Sequence, residues 1–237
     1  SNAITVNSGT ISFTGSTPQV IPANAFVGNT IPNLTTNNAA GVSLAGTLNI
    51  TGIMKPQAGI FNTGGFLTLR STSTVTALVD GSGSGNISGN VTMQRYIPKG
   101  FGYKYVSSPF SSSTVADMAP YVNLSATFPR FYSYNEDLAS AGWVTYTTST
   151  NALVPMRGYA ANFGTSPAAL TMSLTGTVNN GPYSATLYNN NRTYTQGFNL
   201  MGNPYPSPID WNASSGWTRT NIDNAIYYFN ASDTNQY

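Results

Sequence analysis

Few side chains in this chain are of a type that supports catalysis. The sequence holds seven Asp and Glu and nine Lys and Arg, with no histidine and no cysteine. Serine and cysteine hydrolase triads, Cys/His zinc sites and disulfide frameworks are therefore excluded. A glycosidase needs only two carboxyl groups flanking the scissile bond, but the spacing of the acids indicates no such pair. We expect no enzyme activity; the alternative is a polysaccharide-degrading section that uses paired carboxylates.

One cluster of oxygen-bearing side chains is compatible with a cation. Calcium takes about six to eight oxygen ligands and accepts carboxylates, amide side chains and backbone carbonyls. The candidate calcium ligands are Asn135, Glu136 and Asp137. The glycine-rich segment 80–86 carries a single acid, Asp80, and we interpret it as a flexible connector. Apart from this calcium site, the sequence predicts no cofactor.

Aromatic residues, 12% of the chain, offer the best binding hypothesis. Trp and Tyr combine a large apolar face with a polar tip, so they can stack on sugar rings while carboxylates and amides bind hydroxyl groups. The alternative is that these rings fill the core or cover a sheet edge. The expected partner is a glycan or another surface polymer. The candidate ligand-binding residues are Trp143, Tyr205, Asp210, Trp211, Trp217 and Tyr227.

The low content of charged residues and the lack of long apolar runs argue against two further classes of function. Only 7% of the residues are charged and the formal net charge is +2, against roughly 25% charged residues in an ordinary soluble domain. Nine scattered cations cannot form the basic stripe that nucleic-acid binding requires. No apolar run reaches the roughly 18 residues of a membrane span, so we expect no membrane insertion. A charge-poor, cysteine-free chain rich in Thr, Asn and Ser is typical of an exported β-protein.

Short strand patterns between Gly, Asn and Pro residues predict an all-β chain. The pair Leu48/Ile50 is followed 19 residues later by Leu67/Leu69, a spacing close to one turn of a parallel β-helix. We therefore predict a β-solenoid over 4–97, with an antiparallel sandwich as the alternative. Ser1-Asn2-Ala3 resembles the remnant of a cleaved expression tag.

The region 98–237 contains an internal repeat. Residues 102–112 match 197–207 at an offset of 95, and residues 131–135 match 226–230 at the same offset. We predict a duplicated β-sandwich-like region with copies at about 102–163 and 197–237, joined by a hairpin over 170–187. The counterpart of Trp143 falls after Tyr237. We therefore expect the native polypeptide to continue, so that the second copy lacks its last strands here or receives them from another molecule.

Two segments carry a resemblance to a known group of proteins. Arg95-Tyr96-Ile97-Pro98 and Gly202-Asn203-Pro204-Tyr205-Pro206 resemble segments of large exported Bacteroidetes surface proteins, clients of type IX secretion. The resemblance implies an extracellular or outer-surface location and further segments of the same parent chain, and it implies no catalytic residues. The expected function is that of a non-enzymatic section engaged in adhesion or glycan contact, with a purely structural stalk as another alternative.

Overall fold

The computed structural model of the chain describes residues 3–98, 102–166 and 168–228. Within them lie seventeen strands in four sheets, and the only helical segments are the short 3-10 turns Val27–Asn29 and Val115–Met118. The all-β prediction is confirmed. Residues 1 and 2 of the predicted tag remnant, and residues 229–237 of the predicted second copy, lie outside the described residues.

The first region is a stack of strand triplets that makes about four turns of a parallel β-solenoid. Each turn contributes one strand to each of three parallel sheets, with orders β1-β4-β7-β10, β2-β5-β8-β11 and β3-β6-β9-β12. The strands of the first two turns are β1 Thr10–Gly15, β2 Gln19–Ile21, β3 Thr30–Ile31, β4 Asn33–Asn38, β5 Val42–Leu44 and β6 Leu48–Ile50. The strands of the last two are β7 Ile53–Ala58, β8 Ile60–Asn62, β9 Leu67–Leu69, β10 Leu78–Val79, β11 Asn86–Ser88 and β12 Val91–Ile97.

The register of the third sheet confirms the predicted repeat. Leu48 pairs with Leu67 and Ile50 pairs with Leu69, which is the predicted 19-residue step. All four side chains are buried in the interior of the solenoid. Each buried Leu or Ile contributes about 1.5–3 kcal/mol relative to an exposed one. A single turn cannot bury these residues alone, so the stacking of turns is what stabilises the fold.

Polar side chains hold the corners where the chain passes between sheets. The buried amide of Asn38 donates from Nδ2 to the carbonyl oxygen of Thr17 (2.7 Å) and accepts at Oδ1 from the backbone N–H of Ala40 (2.9 Å). Backbone groups at a corner have no strand partner, and an unpaired buried polar group is costly. The asparagine therefore replaces the missing strand bonds and links one turn to the next.

The glycine-rich segment 80–86 is held against the turn below it, which corrects its interpretation as a flexible connector. The backbone N–H of Ser84 donates to the carbonyl of Gln57 at 3.0 Å. A Cβ at Gly83 would collide with the carbonyl oxygen of Pro56 and would lie 2.6 Å from the Cα of Gln57. The glycine is present because the two backbones approach too closely for a side chain.

An ion pair fixes the start of the same segment. Asp80 lies 3.1 Å from Nζ of Lys55, and one of its oxygens accepts the backbone N–H of Ser82 at 2.9 Å. The hydrogen bonds from Ser82, followed by the contact with Lys55, lower the pKa of Asp80 to about 2. These contacts favour the charged carboxylate because each supplies a donor or a positive charge.

The predicted hairpin over 170–187 is wrong. Strand β17, Leu170–Gly176, pairs antiparallel with β12 along seven residues, and residues 183–187 form no strand. Strand β17 covers the edge of β12 that the last turn of the solenoid would otherwise leave exposed. An edge of that length would otherwise leave a row of unpaired backbone groups.

The second region contains a four-stranded antiparallel sheet in the predicted first copy. Its strands are β13 Tyr103–Val106, β14 Phe131–Tyr134, β15 Trp143–Thr145 and β16 Tyr159–Asn162, in the order β13-β16-β14-β15. Phe131, Tyr159 and Ala161 share one face of this sheet and are fully buried. The rings of Phe131 and Tyr159 stack there with centroids 5.5 Å apart.

The described part of the predicted second copy, 197–228, contains no strand. Its only sheet-like contact there is an isolated antiparallel bridge between Met201 and Arg157. The sequence match is thus not accompanied by a second sheet in this part of the chain. The physical reason lies in the strand order: β16 is the partner of both β13 and β14, and the described residues hold no counterpart of β16.

Candidate functional site

The outward face of the antiparallel sheet carries a cluster of aromatic rings, of which two, Tyr105 and Trp143, are exposed. Cross-strand pairs project from the same face of a sheet, and Tyr105 and Tyr132 both pair with Ala160 on the central strand. Tyr134 pairs with Trp143 one step along. Alternation along β13 and β14 adds a further tyrosine to this side. We call this surface the aromatic face; it comprises Tyr103, Tyr105, Tyr132, Tyr134 and Trp143.

Trp143 is the centre of the aromatic face. Its ring centroid lies 5.0 Å from that of Tyr134, 5.9 Å from Tyr105 and 6.5 Å from Tyr132. The angles between ring planes are 78°, 45° and 71°, which are edge-to-face or tilted arrangements of the kind that aromatic pairs prefer. Trp143 is 39% exposed and Tyr105 is 42% exposed. The rings are therefore in contact with one another, and those of Trp143 and Tyr105 are also exposed to solvent.

Small residues allow these rings to converge from three strands. Ala160 lies beneath them on β16 and is buried, so its short side chain leaves room for the rings of β13 and β15 to meet. Gly142 precedes Trp143 with φ of +79°, and a Cβ there would lie 2.7 Å from the ring of Tyr134. The left-handed backbone and the ring contact both require glycine at this position.

Two tyrosines of the face, Tyr105 and Tyr134, have a raised pKa. Burial raises the pKa of Tyr105 above its ordinary value of 10.0, and the neighbouring Tyr134 raises it further. Burial, followed by the nearby carboxylate of Glu136, raises the pKa of Tyr134. At neutral pH these two phenols are therefore uncharged, and each can both donate and accept hydrogen bonds.

The predicted ligand-binding residues are divided among four places. Trp143 lies at the centre of the aromatic face. Asp210, Trp211 and Trp217 lie together in a separate loop, Tyr205 lies beside Tyr183 with ring centroids 5.8 Å apart, and Tyr227 lies beside Phe198 at 5.6 Å. A single platform formed by all six residues is therefore not what the structure shows.

The loop that contains the two other tryptophans is a compact cluster, which we call the Trp loop. The rings of Trp211 and Trp217 meet at 5.1 Å, and the guanidinium of Arg219 lies 4.9 Å from the centroid of Trp211. Trp217 donates from Nε1 to the carbonyl of Asp210 at 2.7 Å. The carboxylate of Asp210 accepts the backbone N–H of Asn212 at 2.9 Å. Both indole N–H groups are used within the loop, since Trp211 donates to a nearby carbonyl.

The candidate calcium ligands are bonded to protein groups. The buried carboxylate of Glu136 accepts the backbone N–H of Asn190 at 3.1 Å and its side-chain amide at 3.0 Å. Asp137 forms an ion pair with Arg192 at 2.8 Å, and Asn135 accepts the N–H of Asp137 at 3.0 Å. The described residues hold no group of three or more acidic, His or Cys side chains placed to bind a metal. The side chains of Glu136 and Asp137 therefore fix the position of the segment around residue 190.

A cavity of about 260 Å³ lies where the second region meets the last turn of the solenoid. It is lined by backbone of the glycine-rich segment 80–86, by Asn180 and by Tyr205. The amide of Asn180 donates to Asn86 at 2.8 Å, and the hydroxyl of Tyr205 donates to the carbonyl of Gly181 at 2.8 Å. The bond between Asn180 and Asn86 thus joins the two regions at the cavity wall, whereas the bond of Tyr205 lies within the second region.

Sequence reasoning missed Tyr105, Tyr132 and Tyr134 as partners of Trp143. Their signal is a period of two: Tyr103 and Tyr105 on one strand, and Tyr132 and Tyr134 on another, each place two rings on one face. Arg219 was also missed, because its contact with Trp211 depends on a loop without regular structure.

Comparison with known proteins places the chain in one family. A family described as a domain of unknown function (DUF8693) matches residues 4–237. The chain belongs to the DUF8693 family. No curated protein and no solved structure matches it. In the part of the chain that the structure describes, no helix has the length and apolar character needed to cross a membrane.

Proposed function

We propose that this DUF8693 chain is a non-enzymatic, ligand-binding section of an exported surface protein, and that its ligand is a neutral glycan. The solenoid serves as a spacer and the aromatic face as the contact surface. The observation that carries the proposal is the exposure of Trp143 and Tyr105 at the top of a packed ring cluster. Exposed rings on a soluble surface cost solvation free energy, so a ligand that covers them gains that energy on binding.

The chemistry of the face suits an uncharged polyhydroxyl ligand. The ring surfaces can pack against the C–H faces of a sugar, and the phenol groups of Tyr105 and Tyr134 can bond to its hydroxyls. The raised pKa of Tyr105 and Tyr134 keeps these two phenols neutral. The face itself consists of Tyr and Trp side chains, so it offers an anionic polysaccharide no positive charge of its own. The tilt of the rings by 45–78° prevents flat contact with a crystalline polymer surface. We therefore infer that the face binds a single chain or a chain end.

The placement of the acids supports a binding function over hydrolysis. Asp80 pairs with Lys55, Glu136 binds Asn190, and Asp137 pairs with Arg192. The carboxylate of Asp117 accepts the N–H of Thr114 at 2.9 Å, where it caps a 3-10 turn. Each of these carboxylates has a local structural partner, whereas a hydrolase needs two that converge on a substrate.

Export and surface location rest on the sequence resemblance and are supported by composition. With only 7% charged residues and no cysteine, the chain depends on hydroxyl and amide side chains for solubility. The solenoid region 4–97 holds only four charged residues, Lys55, Arg70, Asp80 and Arg95, so it would serve as a spacer of low charge. We propose that further segments of the same parent protein accompany this section.

The test measures glycan binding by the purified chain and by two variants. Neutral oligosaccharides are screened on an array, and hits are titrated by following tryptophan fluorescence. Trp143→Ala should weaken binding about tenfold, because a lost ring stack is worth on the order of 1 kcal/mol. Tyr188→Ala, which removes another exposed ring outside the face, should leave affinity unchanged.

Three outcomes would count against the proposal. If the Trp143 variant and the parent chain bind with equal affinity, the aromatic face is not the binding site, and the Trp loop becomes the next candidate. Absence of binding to every glycan would favour a structural stalk. Release of new reducing ends, abolished by Asp→Asn substitutions, would establish the hydrolase alternative.

A further inference from the structure

An Asn-Gly step lies where the second region meets the solenoid. Asn180-Gly181 is the one place in the chain where glycine follows asparagine. It comes shortly after the end of β17, and both residues are exposed. Glycine has no Cβ, so its backbone nitrogen can approach the side-chain amide of the residue before it without steric hindrance. The chemistry open to such a pair is closure to a cyclic imide.

The folded chain holds the two reacting groups against each other. The backbone N–H of Gly181 donates to Oδ1 of Asn180 at 2.8 Å, so the nitrogen lies beside the amide carbon that bears this oxygen. Gly181 has φ of +77°, and nothing lies within 4 Å of the position that a Cβ would take. Water and base can therefore reach the nitrogen from this open side.

The other polar atom of the same amide is held by the solenoid. Nδ2 of Asn180 donates to Oδ1 of Asn86 at 2.8 Å. Asn86 lies on β11, and its Oδ1 also accepts the backbone N–H of Ile87 at 2.8 Å. The amide of Asn180 is thus bonded at both of its polar atoms, which restricts its rotation and keeps its carbon next to the nitrogen of Gly181.

Two comparable positions lack this combination. Asn179 is buried, both polar atoms of its side chain are bonded within the protein, and the residue after it carries a side chain. Asp80-Gly81 is the one Asp-Gly step in the chain, but the pKa of its carboxyl group is lowered to about 2. An ionised carboxylate is a poor electrophile, and this one accepts the N–H of Ser82.

We propose that Asn180 is a site of spontaneous deamidation, in which the nitrogen of Gly181 displaces the side-chain amide. A base takes the proton of the Gly181 nitrogen, and the nitrogen forms a bond to Cγ of Asn180. The bond from Cγ to Nδ2 breaks, and Nδ2 takes up a proton and leaves as ammonia. Water then opens the cyclic imide at either carbonyl carbon, which gives aspartate or isoaspartate at position 180. The net reaction consumes water and releases ammonia, with no oxidation or reduction.

The product weakens one contact of the junction between the two regions. A carboxylate at position 180 faces Oδ1 of Asn86, so two acceptors meet where a donor and an acceptor met before. Asn86 cannot relieve this by turning its amide, because its Nδ2 would then face the N–H of Ile87. Beside the same cavity the N–H of Val79 donates to the carbonyl of Pro206 at 3.1 Å, and this bond should open more often. The proposal is independent of the ligand of the aromatic face.

Peptide mapping by mass spectrometry tests the reaction. The complete chain is incubated at neutral pH, and aspartate and isoaspartate are quantified at each asparagine against a sample taken at time zero. We expect Asn180 to convert at least about tenfold faster than Asn179, which lies on the same proteolytic peptide and serves as an internal control. Gly181→Ala places a methyl group in open space and should slow the reaction by about tenfold or more, because the nitrogen becomes less accessible.

A synthetic peptide of residues 177–184 provides the rate without the fold. Conversion in the folded chain that is faster than in the peptide, or slower by less than about tenfold, supports the held geometry. Slower conversion than this would mean that the fold protects Asn180, and the proposal would be wrong. Equal rates for Asn180 and Asn179 would also overturn it.

Hydrogen exchange followed by NMR tests the consequence for the junction. Asn180→Asp reproduces the aspartate product, and the amide of Val79 should then exchange about threefold faster or more, because local opening becomes easier. Asn221→Asp adds the same charge at another exposed position away from the cavity and should leave this exchange unchanged. Equal exchange of Val79 in the Asn180 variant and the parent chain would contradict the weakening of the junction.

Discussion

A buried hydroxyl in the solenoid provides a test of how its interior is stabilised. Thr36 on β4 is buried, and its Oγ1 has no hydrogen-bond partner. Its neighbours in the stack are Phe13 above and Pro56 below, whose side chains offer no polar atom. Valine has nearly the same shape and replaces the hydroxyl with a methyl group. We therefore expect Thr36→Val to stabilise the chain.

The expected change in the free energy of unfolding has two contributions, and both stabilise the Thr36→Val variant. An unsatisfied buried hydroxyl costs about 1–3 kcal/mol, and burying a methyl group in its place adds up to about 0.8 kcal/mol. Part of the penalty remains as imperfect packing, so we expect a net gain of about 1–2 kcal/mol. For a chain of this size each kcal/mol raises Tm by about 2–4 °C.

The same substitution at Thr63 should have the opposite effect. Thr63 is also buried, but its Oγ1 donates to the carbonyl of Asn90 at 2.7 Å and accepts the N–H of Gly65 at 3.2 Å. Thr63→Val leaves both groups without a partner at a corner of the solenoid. We expect a loss of about 1–3 kcal/mol.

Both variants are compared with the parent chain by urea unfolding and thermal melting, followed by far-ultraviolet circular dichroism. Thr35→Val, at a half-buried neighbouring position, serves as the control and should change the free energy of unfolding by less than about 0.5 kcal/mol. The reasoning fails if Thr36→Val lowers the midpoint, or if the two buried substitutions shift it in the same direction.

Three further predictions concern particular contacts. Gly83→Ala should destabilise the solenoid by about 1–3 kcal/mol in urea unfolding, because its Cβ would collide with the carbonyl of Pro56; Gly81→Ala, with open space around it, should not. Glu136→Gln should cost about 1.5–3 kcal/mol, because a neutral amide places an N–H₂ group against the amide donors that bind the carboxylate; an unchanged midpoint would contradict this. The lowered pKa of Asp80 contributes stability above its ordinary value of 3.8 that is lost as pH falls through about 2. The difference in stability between the parent and Asp80→Asn should therefore shrink over that interval, and a constant difference would refute the assignment.

The solenoid could be predicted from sequence because its determinants are local and repeated. Leu48 and Ile50 recur as Leu67 and Leu69 at the step that the structure uses, and a stacked turn has only its neighbours to pair with. The pairing of β17 could not be predicted in the same way. Its partner β12 lies far away in sequence. Which strand β17 pairs with depends on which edge the last turn of the solenoid leaves exposed.

The candidate site was predictable only in part. Trp143 stands out by residue type, but the convergence of Tyr105 on it requires knowledge that β16 lies between β13 and β14 and places Ala160 beneath the rings. Strand order is a property of the whole sheet and leaves no mark in the local sequence. The Trp loop was easier to predict, because Asp210, Trp211 and Trp217 are close together in the chain.

The junction between the two regions determines how the proposed contact surface is presented. One buried cluster extends from residues of the solenoid turns, such as Leu69, to Phe110, Met118 and Val178 in the second region. Close-packed interiors have low compressibility and transmit strain, so a shared core leaves no hinge between the solenoid and the antiparallel sheet. The backbone of Val79 in the last turn also bonds to the second region, at 3.1 Å. The aromatic face is therefore held in a fixed orientation to the solenoid, and a substitution that loosens this core should weaken the presentation of the face as well as the stability of the last turn.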